Sequence, residues 1–131
     1  MADRSAIDTL LEAARVGLDR VDPPDLAREI DEGALVVDIR PLEQRERDGA
    51  LAGAIVVDRN VLEWRLDPTC PYHLTDVSGT DCRIVIVCNE GFSSSLAADT
   101  LRRLGLPRAT DLVGGFQAYA AFVAAGQPAS R

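Results

Sequence analysis

The sequence predicts an α/β fold, a three-layer α/β/α sandwich built on a mostly parallel five-stranded sheet. Three observations carry that prediction. Apolar runs rich in β-branched residues stand at 34–39, broken only by Asp38, and at 84–87; such runs mark strands covered on both faces, as in a parallel sheet. Segments with apolar residues at helical spacing alternate with them along the chain. Glycine and proline punctuate the junctions, at Gly33, Gly49, Gly53, Gly105, Pro107 and Gly114-Gly115. The strands expected are a short edge strand at Val21, then 34–39, 54–57, 84–87 and 109–113.

The first element is a helix. Ser5-Ala6-Ile7-Asp8 resembles a capping box, and Ile7, Leu10, Leu11, Ala14 and Leu18 form one apolar face. That face either packs the helix on the edge of the domain or pairs two copies of the chain. Residues 1–20 are thus expected to be an N-terminal helical extension packed on the domain, 21–126 a single domain, and 127–131 a polar tail. Within the domain, Asp22 is expected to cap a helix with Pro23 at its first position. Leu26 and Ile30 face inward and Gly33 ends the helix. Asp38 in the next strand is costly unless paired. Arg40, two residues on, shares its strand face. The pair reads either as an ion pair holding a loop or as a substrate contact.

Residues 41–47 read as a short, solvated, charged helix. After strand 54–57, Asn60-Val61-Leu62-Glu63 reads as a second capping-box start leading to Trp64. Trp64 either packs in the core or walls a pocket. Residues 66–81 contain Pro68, Pro71 and Gly79 and show no period, which reads as a long loop. His73 in that loop is either simply exposed or a proton donor to the reactive site. Leu96, Ala97, Leu101 and Leu104 form a helix stopped by Gly105 and Pro107. Gly114-Gly115 permits a tight turn into a last helix with Phe116, Tyr119, Ala120 and Val123 on its inner face.

The chemistry gathers at the end of 84–87. Cys88 stands where that strand ends and the loop Asn89-Glu90-Gly91-Phe92-Ser93-Ser94 begins, ahead of a helix. In parallel α/β sheets ligands bind at this strand edge. Loop N–H groups backed by a helix N-terminus form an anion-binding cup and favour a thiolate over a thiol. Cys88 is therefore the candidate nucleophile. Asn89, Glu90, Gly91, Phe92, Ser93 and Ser94 are the candidate substrate-binding loop, and Asp38, Arg40 and Trp64 are candidate supporting residues. The alternative is a buried, inert cysteine.

Composition narrows the function. The net charge of −7 argues against a nucleic-acid partner, which wants a basic patch. Every basic residue is arginine, so a Schiff-base lysine and a Walker-type phosphate loop are excluded. With Cys70, Cys82, Cys88 and one histidine, no zinc-ligand spacing exists, and no metal or organic cofactor is expected. Cys82 and Cys88 lie at opposite ends of a strand, about 20 Å apart, too far to pair. Cys70, in the loop, is a candidate resolving thiol. No apolar run reaches membrane-span length and no signal peptide is evident, so the expected location is cytoplasmic, away from membranes.

A family resemblance joins these features. The strand, Cys88, short Gly-containing loop, Ser and helix resemble the active-site loop of rhodanese-like sulfurtransferases. Val37-Asp38-Ile39-Arg40-Pro41 resembles that family's Asp-x-Arg strand end. Gly49-Ala50-Leu51-Ala52-Gly53-Ala54 resembles its Gly-His-Ile-x-Gly-Ala turn without the His. Leu112-Val113-Gly114-Gly115-Phe116-Gln117-Ala118-Tyr119 resembles its Gly-Gly-x-x-x-Trp helix start, with Tyr for Trp. The motifs come in family order over residues 21–123.

The resemblance implies that Cys88 takes sulfane sulfur from a small-molecule or protein donor, holds it as a persulfide, and passes it to a thiol acceptor. The chain departs from the family at two points. Ser93 stands where many sulfurtransferases carry Arg, and Glu90 puts an acid in the loop. At ~6 Å and an effective dielectric of about 20, that charge repels an anionic donor by roughly 3 kcal/mol, which favours a persulfide over thiosulfate. Two other functions compete. One is an inert binding module. The other is a cysteine phosphatase or arsenate reductase, which needs Arg after Cys and five residues; that position is Ser94.

Overall fold

A computed structural model gives the structure over residues 4–126; the tail expected at 127–131 lies outside the described residues. Four strands pair in parallel: β1 (Leu35–Asp38), β2 (Ala54–Val56), β3 (Ile84–Val87) and β4 (Ala109–Asp111), in the order β2-β1-β3-β4. The fifth strand expected at Val21 is reduced to a single parallel bridge to Leu112. Val21 N–H donates to the Asp111 carbonyl at 2.9 Å, and Val113 N–H to the Val21 carbonyl at 2.8 Å. Pairing stops there because Pro23 and Pro24 follow, which have no N–H to give and turn the chain away.

The α-helices of the described residues are α1 (Ala6–Arg15), α2 (Leu26–Asp31), α3 (Leu42–Asp48), α4 (Leu62–Leu66), α5 (Ser93–Arg103) and α6 (Gly115–Ala125). β3 is central and all four of its side chains are buried. Successive side chains of a strand point to opposite faces. Ile84 and Ile86 accordingly join Val37, Leu62, Leu66, Ala97 and Leu101 in one core. Val85 and Val87 join Val36, Leu26, Leu112 and Phe116 in another. Two cores on one sheet make the three layers.

The helix starts differ in part from expectation. Ser5 Oγ accepts the Asp8 N–H at 3.2 Å and caps α1 as expected. Asp22 holds the N-cap position with Pro23 behind it, but of a 3-10 turn over residues 23–25 that precedes α2, and its side chain makes no capping bond. The α4 capping box is also misplaced. The turn opens two residues earlier, with the Asp58 carboxylate accepting the Asn60 N–H at 2.7 Å, while Glu63 pairs with Arg59 at 2.9 Å. α1 lies against α5, with Ala14 buried and Leu18 packed on the core, whereas Ile7 and Leu10 stay exposed.

Candidate active site

The site forms where β3 hands over to α5. Cys88 follows the last buried residue of the strand and is only 7% exposed. The loop curls around its sulfur. Gly91 N–H donates to Cys88 Sγ at 3.1 Å and Ser94 N–H at 3.4 Å. The sulfur thus takes an N–H from the first turn of α5, where no side chain caps the helix. Gly91 reaches this geometry at φ +86°, in the left-handed region.

The loop is held from above by α6. Phe116 N–H donates to the Cys88 carbonyl at 2.8 Å and Gln117 N–H to the Asn89 carbonyl at 3.1 Å. Only glycine fits at 115, since a Cβ there would lie 2.6 Å from the Cys88 carbonyl oxygen. The Gln117 amide also donates to Asn89 Oδ1 at 3.0 Å, fixing that side chain.

Several influences act on the Cys88 thiol. Burial, the largest, pushes its pKa up. The Ser94 and Ser93 hydroxyls and the N–H groups of Ser94 and Gly91 outweigh burial and hold the thiol below the ordinary range. Of the two hydroxyls only Ser93 has a proton free for sulfur. Ser94 has a single hydroxyl proton, and Asp111 Oδ2 takes it at 2.7 Å. The N–H groups are therefore the firm donors.

Beneath the loop lies a polar cluster that sequence reasoning missed. Asp111, at the end of β4, is fully buried. It accepts Ser94 Oγ and Ser95 Oγ, both at 2.7 Å, and Arg20 Nε at 2.8 Å and Nη2 at 3.1 Å. Arg20 and Arg15 also reach the Gly91 carbonyl. One signal was available: an aspartate in an otherwise uncharged strand needs a cation from elsewhere in the chain.

On the open side, Cys88 faces a cavity of about 250 Å³ lined by Ile39, Arg40, Pro41, Gln44, Asn89, Glu90, Phe92 and Ser93. Glu90 and Phe92 are exposed on it. Arg40 is buried and pairs with Asp38, Nη2 to Oδ2 at 2.8 Å, and with the Gly49 carbonyl at 2.9 Å. Its guanidinium lies 3.8 Å from the Phe116 ring centroid, and Nη1 has no protein partner. Arg40 thus belongs both to the ion pair and to the cavity wall.

Other candidates lie elsewhere. Trp64 is 58% exposed and borders a surface groove with Glu63, Asp67 and Leu104, so both the core and the pocket-wall readings fail. Leu62 and Leu66 supply the buried face of the short α4 and leave Trp64 outside. His73 Nδ1 bonds the Cys70 carbonyl at 2.6 Å, and Cys70 Sγ accepts the Tyr72 N–H at 3.5 Å. Neither lines the Cys88 cavity. Cys82 borders a separate polar cavity with Glu29, Asp81, Arg83 and Arg108. Among the described residues no group of three or more His, Cys, Asp or Glu gathers as a metal site, and no helix is long and apolar enough to cross a membrane.

Known structures share this architecture. A Rhodopseudomonas palustris protein of unknown function, described as a possible tyrosine phosphatase, is 30% identical with a TM-score of 0.81, covering 98% of this chain and 96% of that one. The human single-domain sulfurtransferase is 22% identical with a TM-score of 0.64, covering 78% and 95%; the likeness there is of fold. Thiosulfate sulfurtransferase from Pseudomonas aeruginosa is 25% identical with a TM-score of 0.62, covering 85% of this chain but 19% of that longer one. No curated protein shows a significant match. The profile of the rhodanese-like domain matches residues 22–122, most of the chain and all of the cysteine loop, and to that family the chain belongs.

Proposed function

We propose that the chain is a single-domain sulfurtransferase that carries sulfane sulfur as a persulfide on Cys88. The observation that carries this reading is the sulfur itself, cradled by the Gly91 and Ser94 N–H groups and facing a cavity. The Cys88 thiolate attacks the outer sulfur of a donor persulfide. A new S–S bond forms, the donor's S–S bond breaks, and the donor leaves as a thiolate. An acceptor thiolate then attacks the outer sulfur of the Cys88 persulfide, and Cys88 leaves as a thiolate. No electrons enter or leave overall, and the amide cup stabilises each anion in turn. Such chemistry needs no metal or organic cofactor. It requires a reduced thiol, which suits the cytoplasm.

Glu90 at the rim favours a persulfide, free or on a protein, over thiosulfate. A phosphatase reading is disfavoured by Ser94, which stands where an oxyanion-gripping arginine is needed and whose hydroxyl is committed to Asp111. The test exposes wild type and Cys88→Ser to a panel of sulfur donors and locates added sulfur by peptide mass. One added sulfur on the Cys88 peptide is expected. Labelling chiefly at Cys70 or Cys82, or none with any donor, overturns the proposal and favours an inert binding module; release of phosphate from an aryl phosphate favours the phosphatase.

A further inference from the structure

We propose that the N-terminal extension is part of the active site, with Arg15 and Arg20 as positioning residues that clamp the Gly91 carbonyl from behind the loop and supply positive charge there. The functional side of this proposal rests on Cys88 being the sulfur-carrying nucleophile.

The loop from 89 to 94 contains no cation, and its one charged residue is Glu90. Two cations stand behind it instead. Arg15, in the last turn of α1, donates from Nη2 to the Gly91 carbonyl at 2.7 Å and from Nε to Ser95 Oγ at 2.9 Å. Arg20, just before Val21, donates from Nη2 to the same carbonyl at 3.0 Å while holding Asp111. Two guanidiniums face one buried carboxylate, so positive charge is in excess beneath the cup.

The clamp also orients the loop. In a trans peptide the C=O and the following N–H point in opposite directions. With the Gly91 carbonyl turned back onto two arginines, the Phe92 N–H is turned forward. It has no partner among the described residues, so it is open to an anion on the cavity side. Charged donors on the carbonyl polarise that peptide and strengthen its N–H as a donor. The Phe92 ring adds a second hold, its centroid 5.9 Å from the Arg15 guanidinium.

The remaining charges around Cys88 are Glu90 in the loop, Arg40 with Asp38 at the end of β1, and Asp111 at the end of β4. Burial and Arg20 lower the proton affinity of Arg15, while Asp111 and Cys88 raise it, so the guanidinium and the sulfur sense one another. Arg15 makes no ion pair of its own among the described residues, so removing it strands no carboxylate; Asp111 keeps Arg20.

The test reads the Cys88 alkylation rate against pH by peptide mass in wild type, Arg15→Gln and Arg15→Lys, with melting curves alongside. Arg15→Gln should raise the midpoint by about half a pH unit, as for the loss of a partly screened charge and a loop tether. Arg15→Lys, which keeps the charge, should recover part of that shift. If Arg15→Gln does not fold, Arg20→Lys replaces it. Lysine can stay on Asp111 but cannot also hold Gly91, so a smaller upward shift is expected. A folded variant whose midpoint stays at the wild-type value, even if it melts lower, overturns the proposal and leaves α1 a packing element. Alkylation needs no sulfur donor, so failure of the clamp is distinct from failure to form a persulfide.

Discussion

Gly91→Ala isolates the geometry of the sulfur cup. Gly91 sits at φ +86°, where an L-residue costs roughly 1–2 kcal/mol. A Cβ there would lie 2.7 Å from Gly114 N and 3.1 Å from Gly114 Cα and Gly115 N. All three are backbone atoms, and they cannot retreat. Gly115 is wedged against the backbone of Cys88, Asn89 and Glu90, and the Phe116 N–H is bonded to the Cys88 carbonyl. Overpacking of this kind adds about 1–3 kcal/mol. If the loop holds its shape, urea unfolding should show a loss of about 2–5 kcal/mol. If the loop yields, Gly91 leaves the left-handed region, its N–H leaves the sulfur, and the stability loss shrinks. The Cys88 alkylation midpoint must then rise toward the free-thiol value of about 8.5. The two readouts together close the escape routes. Stability within about 0.5 kcal/mol of wild type, combined with an unmoved alkylation midpoint, would refute the reasoning.

Two further outcomes are expected. Glu90→Gln should raise thiosulfate turnover by roughly threefold to tenfold, because an exposed carboxylate acts through strongly screened solvent, and the gain should shrink with added salt. A neutral persulfide donor should be unaffected, and equal changes for both donors would place the Glu90 side chain outside donor recognition. The second concerns pH. A thiol held below its ordinary range in the folded state contributes stability above the ordinary value, about 8.5, and loses that contribution as pH falls through the folded value. The melting-temperature difference between wild type and Cys88→Ser should therefore grow as pH rises through this window and then level off; a difference independent of pH would contradict the lowered thiol.

The strand, loop and helix around Cys88 were legible because local rules specify them: a doubly buried apolar run, a glycine at the bend, a helical period after it. The sheet's outer edge was less so. Val21 is apolar and buried, but the prolines that follow decide that it makes one bridge and no strand. Trp64 was misread because size suggests burial. In a helix as short as α4, Leu62 and Leu66 occupy the inward stripe at i and i+4, and Trp64, midway between them, faces out. Arg15 and Arg20 could not be picked from a chain whose every basic residue is arginine. Their partners, Gly91 and Asp111, lie far along the sequence, and no local pattern links them.

A cation behind the loop acts differently from one within it. An arginine in the loop touches the donor and grips its oxygens, so it selects for an anion. The Arg15–Arg20 clamp meets the loop and its supports through the Gly91 carbonyl, the Phe92 ring, Ser95 and Asp111. Under the proposed function it therefore acts on negative charge at or near the Cys88 sulfur, first the thiolate and then the persulfide, whatever the donor. Donor recognition is left to the cavity wall. Ile39, Pro41, Gln44 and Phe92 are uncharged, Glu90 is acidic, and Arg40 is committed to Asp38, Gly49 and the Phe116 ring, with only Nη1 unpaired. A site that activates its sulfur from behind, and presents mostly apolar surface and an acid in front, suits a persulfide carried on an apolar or neutral group better than a small sulfur oxyanion.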